Sequence, residues 1–273
     1  GMPDVVMLSE VEALSLDLWS TLIRSHPEFK PARTAMLARA FGIAEAALEE
    51  TDAVFRSADR AADDDAEALG RDVGFVERAL AMFNAAQAAG LTTLPAPGPA
   101  ELSRLEAGQA ELVSRFPPQP YSAGVVDLLL ALGDLLPLAV TSNTGMLGGA
   151  TMRRALAASG LLPAFRVLLF SNEMGSAKPS GVLFDATLRG LRAVTPTPLP
   201  AASVLHVGDN LVADIQGATD AGMLAQLVNV EGAPPIESVL RELLSAVHAR
   251  RAAAPGSASL LAAASLAPER PVS

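Results

Sequence analysis

The chain has 273 residues, half of them hydrophobic and 18% charged, which suits a folded chain with one large core or two modest ones. Twenty Lys and Arg stand against thirty Asp and Glu, a net charge of −10, so no basic stripe is available for nucleic acid, although a small anionic substrate needs only one or two placed cations. The absence of cysteine excludes disulfides, thiolate metal sites and a cysteine nucleophile, and three scattered histidines argue against a histidine-rich zinc site.

The N-terminus, GMPDVVMLSE, is acidic and has no basic segment ahead of a long apolar stretch, so it does not read as a signal peptide. No apolar run is long enough to span a membrane, and a soluble cytoplasmic protein is expected. The first predicted strand is ALSL, which ends on Asp17 and runs into a turn holding the only tryptophan, Trp19. From residue 27 to 118 the character changes. PARTAMLARAFG, AEAALEETDAVFRSADRAA, GFVERALAMFNAAQAAG and AELSRLEAGQAELVSRF all carry helical spacing, and none contains a convincing strand. Pro27 and Pro31 open this stretch and PPQP at 117–120 closes it. It reads as an all-helical domain inserted after the first strand, with ADDDAEALGRD as a solvated helix end and loop, and LTTLPAPGPA as a loop between helices.

Beyond the insert, LPLAVTS, FRVLLF, SVLHV and AQLVNV read as buried strands. They alternate with helical stretches, SAGVVDLLLALG, LGGATMRRALAASG, SGVLFDATLRGLRAV and LVADIQGATDAG. Strand alternating with helix predicts an α/β fold with a parallel Rossmann-like sheet, assigned here to residues 1–26 and 119–250. Residues 251–273, rich in Ala, Ser and Pro, read as a mobile tail.

Right-handed crossovers place the strand C-termini along one edge, where such sheets bind ligands. The polar residues at those ends are Asp17, then Ser142 and Asn143, then Lys178 in GSAKPS, then Asp209 and Asp214 in VGDNLVAD. Each alone reads as a cap, a turn or a solvated loop residue. Together they assemble a site. Asp17 and Asp209 can share a hard divalent cation, while Ser142, the Asn143 backbone and Lys178 hold a phosphoryl group. Lys178 also keeps Asp17 ionised for nucleophilic attack.

Four motifs in order, DLWST, VTSN, GSAKPSGVLF and SVLHVGDNLVADIQGATDAGM, make the chain resemble the haloacid dehalogenase superfamily of hydrolases, over residues 12–24 and 120–232. The resemblance implies a Rossmann-like core with a helical cap inserted after the first motif. It implies Asp17 as nucleophile and a Mg2+ ion held by Asp17, Asp209 and the backbone carbonyl of Trp19, with Asp214 holding metal-bound water or Lys178. Phosphatases of this superfamily carry a second aspartate where this chain has Trp19, and an indole N–H neither donates nor takes a catalytic proton. The expected activity is a magnesium-dependent phosphatase for a small phosphorylated metabolite, with His26 in IRSHPEF as the candidate substitute acid. Two alternatives stand: a haloacid dehalogenase, which needs no acid for a departing halide but lacks the metal-binding GD turn, and a non-catalytic phosphate- or metal-binding protein. Arg24, Arg33, Arg56 and Arg60 are the candidate contacts for an anionic substrate.

Overall fold

The computed structural model describes residues 8–254. Five short strands form one parallel sheet: β1 (Ala13–Leu16), β4 (Leu138–Ser142), β5 (Val167–Phe170), β6 (Val204–Gly208) and β7 (Leu224–Leu227), in the order β5-β4-β1-β6-β7. Chain order reverses at β1, which pairs β4 through Leu14–Leu138 on one side and β6 through Leu14–Leu205 on the other. The predicted strands are all present. The last is shorter and earlier than AQLVNV suggests, because Asn229 adopts a left-handed conformation (φ 63) that ends the extended run.

The two faces of the sheet differ in a way that period-2 alternation explains. Leu14, Leu16, Leu138, Val140, Leu205 and Val207 face one apolar cluster, shared with helices α5 (Val125–Gly133), α6 (Gly149–Ala158) and α10 (Ile236–Ala253). The intervening Ala13, Ala139 and Val204 pack with Phe184, Leu188 and Leu191 of α8 (Gly181–Val194). Small residues on this side let α8 lie close to the strands. The same face carries Ser15, Thr141 and His206, all fully buried.

Helices α1 (Phe29–Ala40), α2 (Leu48–Leu69), α3 (Phe75–Ala88) and α4 (Pro99–Arg115) form the insert. They close around Leu37, Phe41, Phe55, Met82, Phe83 and Leu102, with Phe41 meeting Phe55 and Phe83 edge-on. A two-stranded antiparallel ladder, β2 (Ile23–Arg24) against β3 (Gln119–Pro120), joins the segments entering and leaving it. ADDDAEAL is the helix end that the sequence predicts: α2 runs through it to Leu69 and stops at Gly70 (φ 63), where the loop begins. Asp59 and Asp63, one turn apart, both accept from the buried Arg78 of α3, and that pairing holds the acidic run in helix.

The insert is seated on the sheet's C-terminal edge. Gly70 accepts from Ala177 N (3.0 Å) and Ser176 Oγ (2.9 Å), Asp72 accepts from Ser171 Oγ (2.7 Å), and Gln109 donates to the Met146 carbonyl (2.8 Å). Helix α10 does not follow from the strand–helix alternation. It ends at Ala253, inside the stretch read as a tail, and residues 255–273 lie outside the described residues. No helix among the described residues is long and apolar enough to cross a membrane.

Candidate active site

Asp17 sits at the C-terminal end of β1, where the strand gives way to a tight turn. Three amides, of Thr21, Leu22 and Ile23, converge on the Leu18 carbonyl at 3.2, 2.8 and 3.1 Å, and Ser20 turns the chain through φ 61. None of these bonds reaches the Trp19 carbonyl, which has no hydrogen-bond donor among the described residues. Asn229 latches the turn from β7's end by donating to the carbonyls of Ser20 and Thr21, each at 3.0 Å.

The Asp17 carboxylate is nearly buried and fixed at both oxygens. Thr21 Oγ1 donates to Oδ2 at 2.9 Å, and Lys178 Nζ to Oδ1 at 3.1 Å. Lys178 also donates to Asp214 Oδ1 at 2.6 Å, so one buried ammonium bridges two carboxylates. Its main chain is held separately. Asn143, at the end of β4, accepts from Lys178 N at 2.7 Å and donates to Lys178 O at 3.0 Å. The side chain of Asn143 is thereby committed to positioning Lys178. The Ser142 hydroxyl is fully buried, 3.4 Å from the Asn143 carbonyl, and does not line the cavity described below.

Asp214 returns to the end of β6 through a wide π-helical turn, Leu211–Gln216, whose start is capped by the Asn210 side chain accepting from Val212 N and Ala213 N. The carboxyl folds back onto Gly208, where a Cβ would stand 2.2 Å from Asp214 Cγ. Only glycine fits there, which is the physical content of the GD turn.

Behind Asp214 lies a contact that strand alternation alone conceals. His206 Nε2 is 2.8 Å from Asp214 Oδ1 and Nδ1 is 2.7 Å from Ser15 Oγ. Ser15 in turn meets Thr141 Oγ1 at 2.7 Å, and Thr141 meets Thr187 of α8 at 2.7 Å. Burial lowers the pKa of His206 and keeps the imidazole neutral. Facing an acceptor-only carboxylate, Nε2 carries the ring proton and Nδ1 accepts from Ser15. A chain of buried polar groups from three strands and a helix thus orients Asp214, and through it Lys178.

Electrostatics follow from this packing. Burial opposes the charge of Asp214, but Lys178 and His206 outweigh it and hold its carboxyl well below the usual range. Burial likewise works against Lys178, yet the two carboxylates push its pKa up. For Asp17 burial wins over Lys178 and the pKa rises. Asp209, one residue past Gly208, is pushed up to about 7 by burial and by Asp17 beside it. Oxygens of Asp17, Asp209 and Asp214 all lie within 4.8 Å of one another. These three carboxylates form an all-oxygen set that suits a hard divalent cation, with Lys178 bonded to two of them.

A pH-dependent prediction arises here. Asp209 ionises near 3.8 in an unfolded chain and near 7 in the metal-free fold. Its contribution therefore makes the metal-free protein less stable as pH rises from about 4 to about 7, with no further loss above. A divalent cation that displaces this proton should release about one proton per site at pH 6 and much less at pH 8. Calorimetric titration with Mg2+ in buffers of different ionisation heat reads this directly. Asp209→Asn should abolish both the proton release and tight binding; release that does not change with pH would remove Asp209 from the metal's ligands.

These groups open into a cavity of about 550 Å3 between insert and sheet edge, lined among others by Asp17, Trp19, Arg33, Arg78, Lys178 and Asp209. Trp19 is half-buried, packs against the main apolar cluster and presents part of its surface to the cavity. Of the four predicted arginines, Arg24 and Arg33 line this cavity, whereas Arg56 and Arg60 line a neighbouring one. Arg78 and Lys30 also line it and do not stand out among helical Arg and Lys in the sequence. His26 does not line it. Its Nδ1 accepts from Glu28 N at 3.1 Å and its ring packs 5.2 Å from Phe116, so it braces the entry to α1 and is no substitute acid in this geometry.

A family model for haloacid dehalogenase-like hydrolases matches residues 11–222. Among solved structures, the chain resembles the HAD-hydrolase YfnB from Bacillus subtilis bound to magnesium, at 20% identity and a TM-score of 0.62, over 85% of this chain and 98% of that one. A HAD phosphatase from Thermococcus onnurineus matches at 20% identity and a TM-score of 0.60, over the same shares, 85% and 98%. L-2-haloacid dehalogenase from Xanthobacter autotrophicus matches at 19% identity and a TM-score of 0.54, over 93% of this chain and 88% of that one. At such identities these likenesses speak to the fold. No curated protein sequence matches the chain significantly.

Proposed function

The chain belongs to the haloacid dehalogenase-like hydrolases, and we propose that within this family it is a magnesium-dependent phosphatase acting on a small phosphorylated metabolite through an aspartyl-phosphate at Asp17. The observation that carries this reading is the pairing of Asp17 with Asp209. A halide displaced by a carboxylate needs no second acid beside the nucleophile, whereas a phosphoryl dianion approaching Asp17 needs a cation there to offset the charge. The likeness to a magnesium-bound hydrolase of the same fold is consistent with this.

Asp17, Asp209 and the Trp19 carbonyl would hold the ion, with Asp214 and Lys178 behind. Bound magnesium would supply charge neutralisation and phosphoryl alignment. The remaining chemistry belongs to the side chains. Asp17 Oδ attacks phosphorus as the ester P–O bond breaks, and the leaving oxygen departs with the bonding pair. Lys178 favours the ionised form of Asp17 against the burial that raises its pKa, and its ammonium meets the phosphoryl oxygens. Water then attacks the aspartyl phosphate, releasing inorganic phosphate and restoring Asp17. The helical insert acts as a cap that screens this centre from bulk solvent.

Trp19 sets the limit of the mechanism. With no acid at this position and His26 turned away, the leaving oxygen is not protonated by a side chain at position 19. Esters whose leaving groups are stable anions, such as aryl and acyl phosphates, should be cleaved much faster than alkyl phosphates. Trp19→Asp should then raise alkyl-ester turnover more than aryl-ester turnover, by about 10-fold or more where general acid catalysis is commonly worth 10²–10⁴-fold. A wild-type rate indifferent to leaving-group pKa would overturn this account of Trp19.

The aromatic at position 19 also favours a second reading, a haloacid dehalogenase, because a halide leaves without a proton. Incubation with p-nitrophenyl phosphate and Mg2+, beside 2-chloropropionate without metal, separates the two. Turnover of the chloroacid alone would replace the phosphatase reading, and turnover of neither would leave a phosphate- or metal-binding protein.

A further inference from the structure

The main cavity does not end at the carboxylates. A second cavity of about 410 Å3 adjoins it between α1 and α2, and Lys30, Arg33, Asp59 and Asp63 line both. Several cations along this path already have partners. Arg78 is held by Asp59 and Asp63, Arg56 by Asp52, and Arg24 by the Tyr121 carbonyl at 2.6 Å and the Tyr121 ring at 4.0 Å.

Arg33 is different. Its one hydrogen bond is a long one, 3.4 Å to Gln109 Oε1, and no carboxylate among the described residues lies within ion-pair distance. Gln109 is itself buried and fixed by its bond to the Met146 carbonyl, and the Arg33 guanidinium lies 5.3 Å over the Phe29 ring. The group is therefore held in place from two sides by neutral partners. A guanidinium carries five N–H donors in a planar fork, and most of these remain without an acceptor on the cavity wall. Burial lowers the pKa of Arg33, against the opposing effect of Asp59. Asp59 and Asp52 act on this half-buried guanidinium only from beyond ion-pair distance, so an anion entering the cavity can take the direct contact that no carboxylate of the described residues makes.

We propose that Arg33, with Lys30 beside it, binds a second anionic group of the substrate, a carboxylate or a further phosphoryl group, on the insert side of the cavity. The substrate is then a phosphorylated acid or a bisphosphate rather than a phosphate ester of a neutral alcohol. This rests on the phosphatase reading for the first anionic group, which occupies the Asp17 centre. Arg33 supplies the planar, two-pronged contact and sets specificity without touching the reacting phosphorus.

The test is binding, which needs no turnover. Calorimetry in the presence of Mg2+ would compare phosphonoacetate and its longer ω-carboxyalkylphosphonate homologues with their carboxamides and with alkyl bisphosphonates of matching length. At the best-fitting length, the carboxylate or the bisphosphonate should bind the wild-type protein about 10- to 100-fold more tightly than the amide. Whichever is preferred identifies the second anion. Arg33→Met should bring the ratio close to one, and Arg33→Lys should restore part of it. Circular dichroism establishes that both variants fold, and the Lys variant carries the test if the Met variant does not. Equal affinity of amide and anion at every length, or a preference that survives Arg33→Met, overturns the assignment of Arg33. Cleavage of p-nitrophenyl phosphate alongside that result would leave the phosphatase reading standing; no binding by any phosphonate and no cleavage would overturn both.

Discussion

Replacing Asp17 by Asn is expected to reduce phosphate-ester turnover by about 10⁴-fold or more, to the level of background, because removal of a nucleophile that acts as a unit with its neighbours disables the whole constellation. The substitution keeps the shape of the side chain. Its oxygen can still accept from Lys178 Nζ, and its amide can donate to Thr21 Oγ1 in place of the bond that Thr21 now makes to Asp17 Oδ2. One charge also leaves a crowded acidic centre, where burial already pushes the Asp17 pKa up. Folding should therefore survive, and thermal stability without metal should hold or rise. Beryllium fluoride, which mimics an acyl phosphate on a carboxylate, should raise the melting temperature of the wild type in the presence of Mg2+ and leave Asp17→Asn unaffected. Wild-type turnover in Asp17→Asn would place the nucleophile elsewhere.

Lys178→Met should have the largest effect on stability. The ammonium is buried and bridges Asp17 and Asp214 at 3.1 and 2.6 Å, so its loss leaves two carboxylates desolvated without their cation. Breaking a buried pair from one side typically costs about 3–5 kcal/mol, which in a chain of this size corresponds to roughly 6–20 °C in melting temperature. The loss of stability with rising pH, which Asp209 already imposes on the metal-free wild type, should steepen as well. In the wild type the Asp214 pKa is depressed by Lys178 and His206, so this stabilisation is complete above the ordinary carboxylate pKa and is lost as pH falls through the depressed one. Lys178 itself, with a raised pKa, contributes fully below its ordinary value and loses its contribution only as pH climbs through the raised one. Without Lys178 the remaining buried carboxylates prefer the proton. The variant should then lose more stability between pH 5 and pH 7 than the wild type does, measured by thermal melts of both with chelator present. A variant as stable as wild type, with unchanged pH dependence, would show that Lys178 is not the counter-charge of this centre.

The four site positions Asp17, Lys178, Asp209 and Asp214 were legible in the sequence because each belongs to a local pattern. A strand buried on both faces carries no charged residue until it emerges, so the first carboxylate after ALSL or SVLHV marks the sheet's C-terminal edge. The alternation of strands and helices likewise determined a parallel α/β sheet, and uninterrupted helical spacing between residues 27 and 118 determined an all-helical insert.

Contacts between distant segments belonged to the tertiary structure alone. His206 reads as one polar residue inside a strand, and only the β1–β6 register, which sets Ser15 opposite His206, reveals a buried hydrogen-bonded chain behind Asp214. Asn229 reads as a turn residue, and the fold makes it a latch on the loop after Asp17. His26 lies nine residues from Asp17 in sequence, yet spacing carries no direction once the chain has passed β2, and the ring ends on Phe116. Helical arginines are alike until packing sorts them. Arg78 goes to a pair of aspartates, Arg56 to one, and Arg33 to the cavity wall with no carboxylate partner. Local sequence determines which residues end a strand or cover a helix face; which charge is left without a counter-charge is decided only when the elements come together, because burial and pairing are properties of the packed chain.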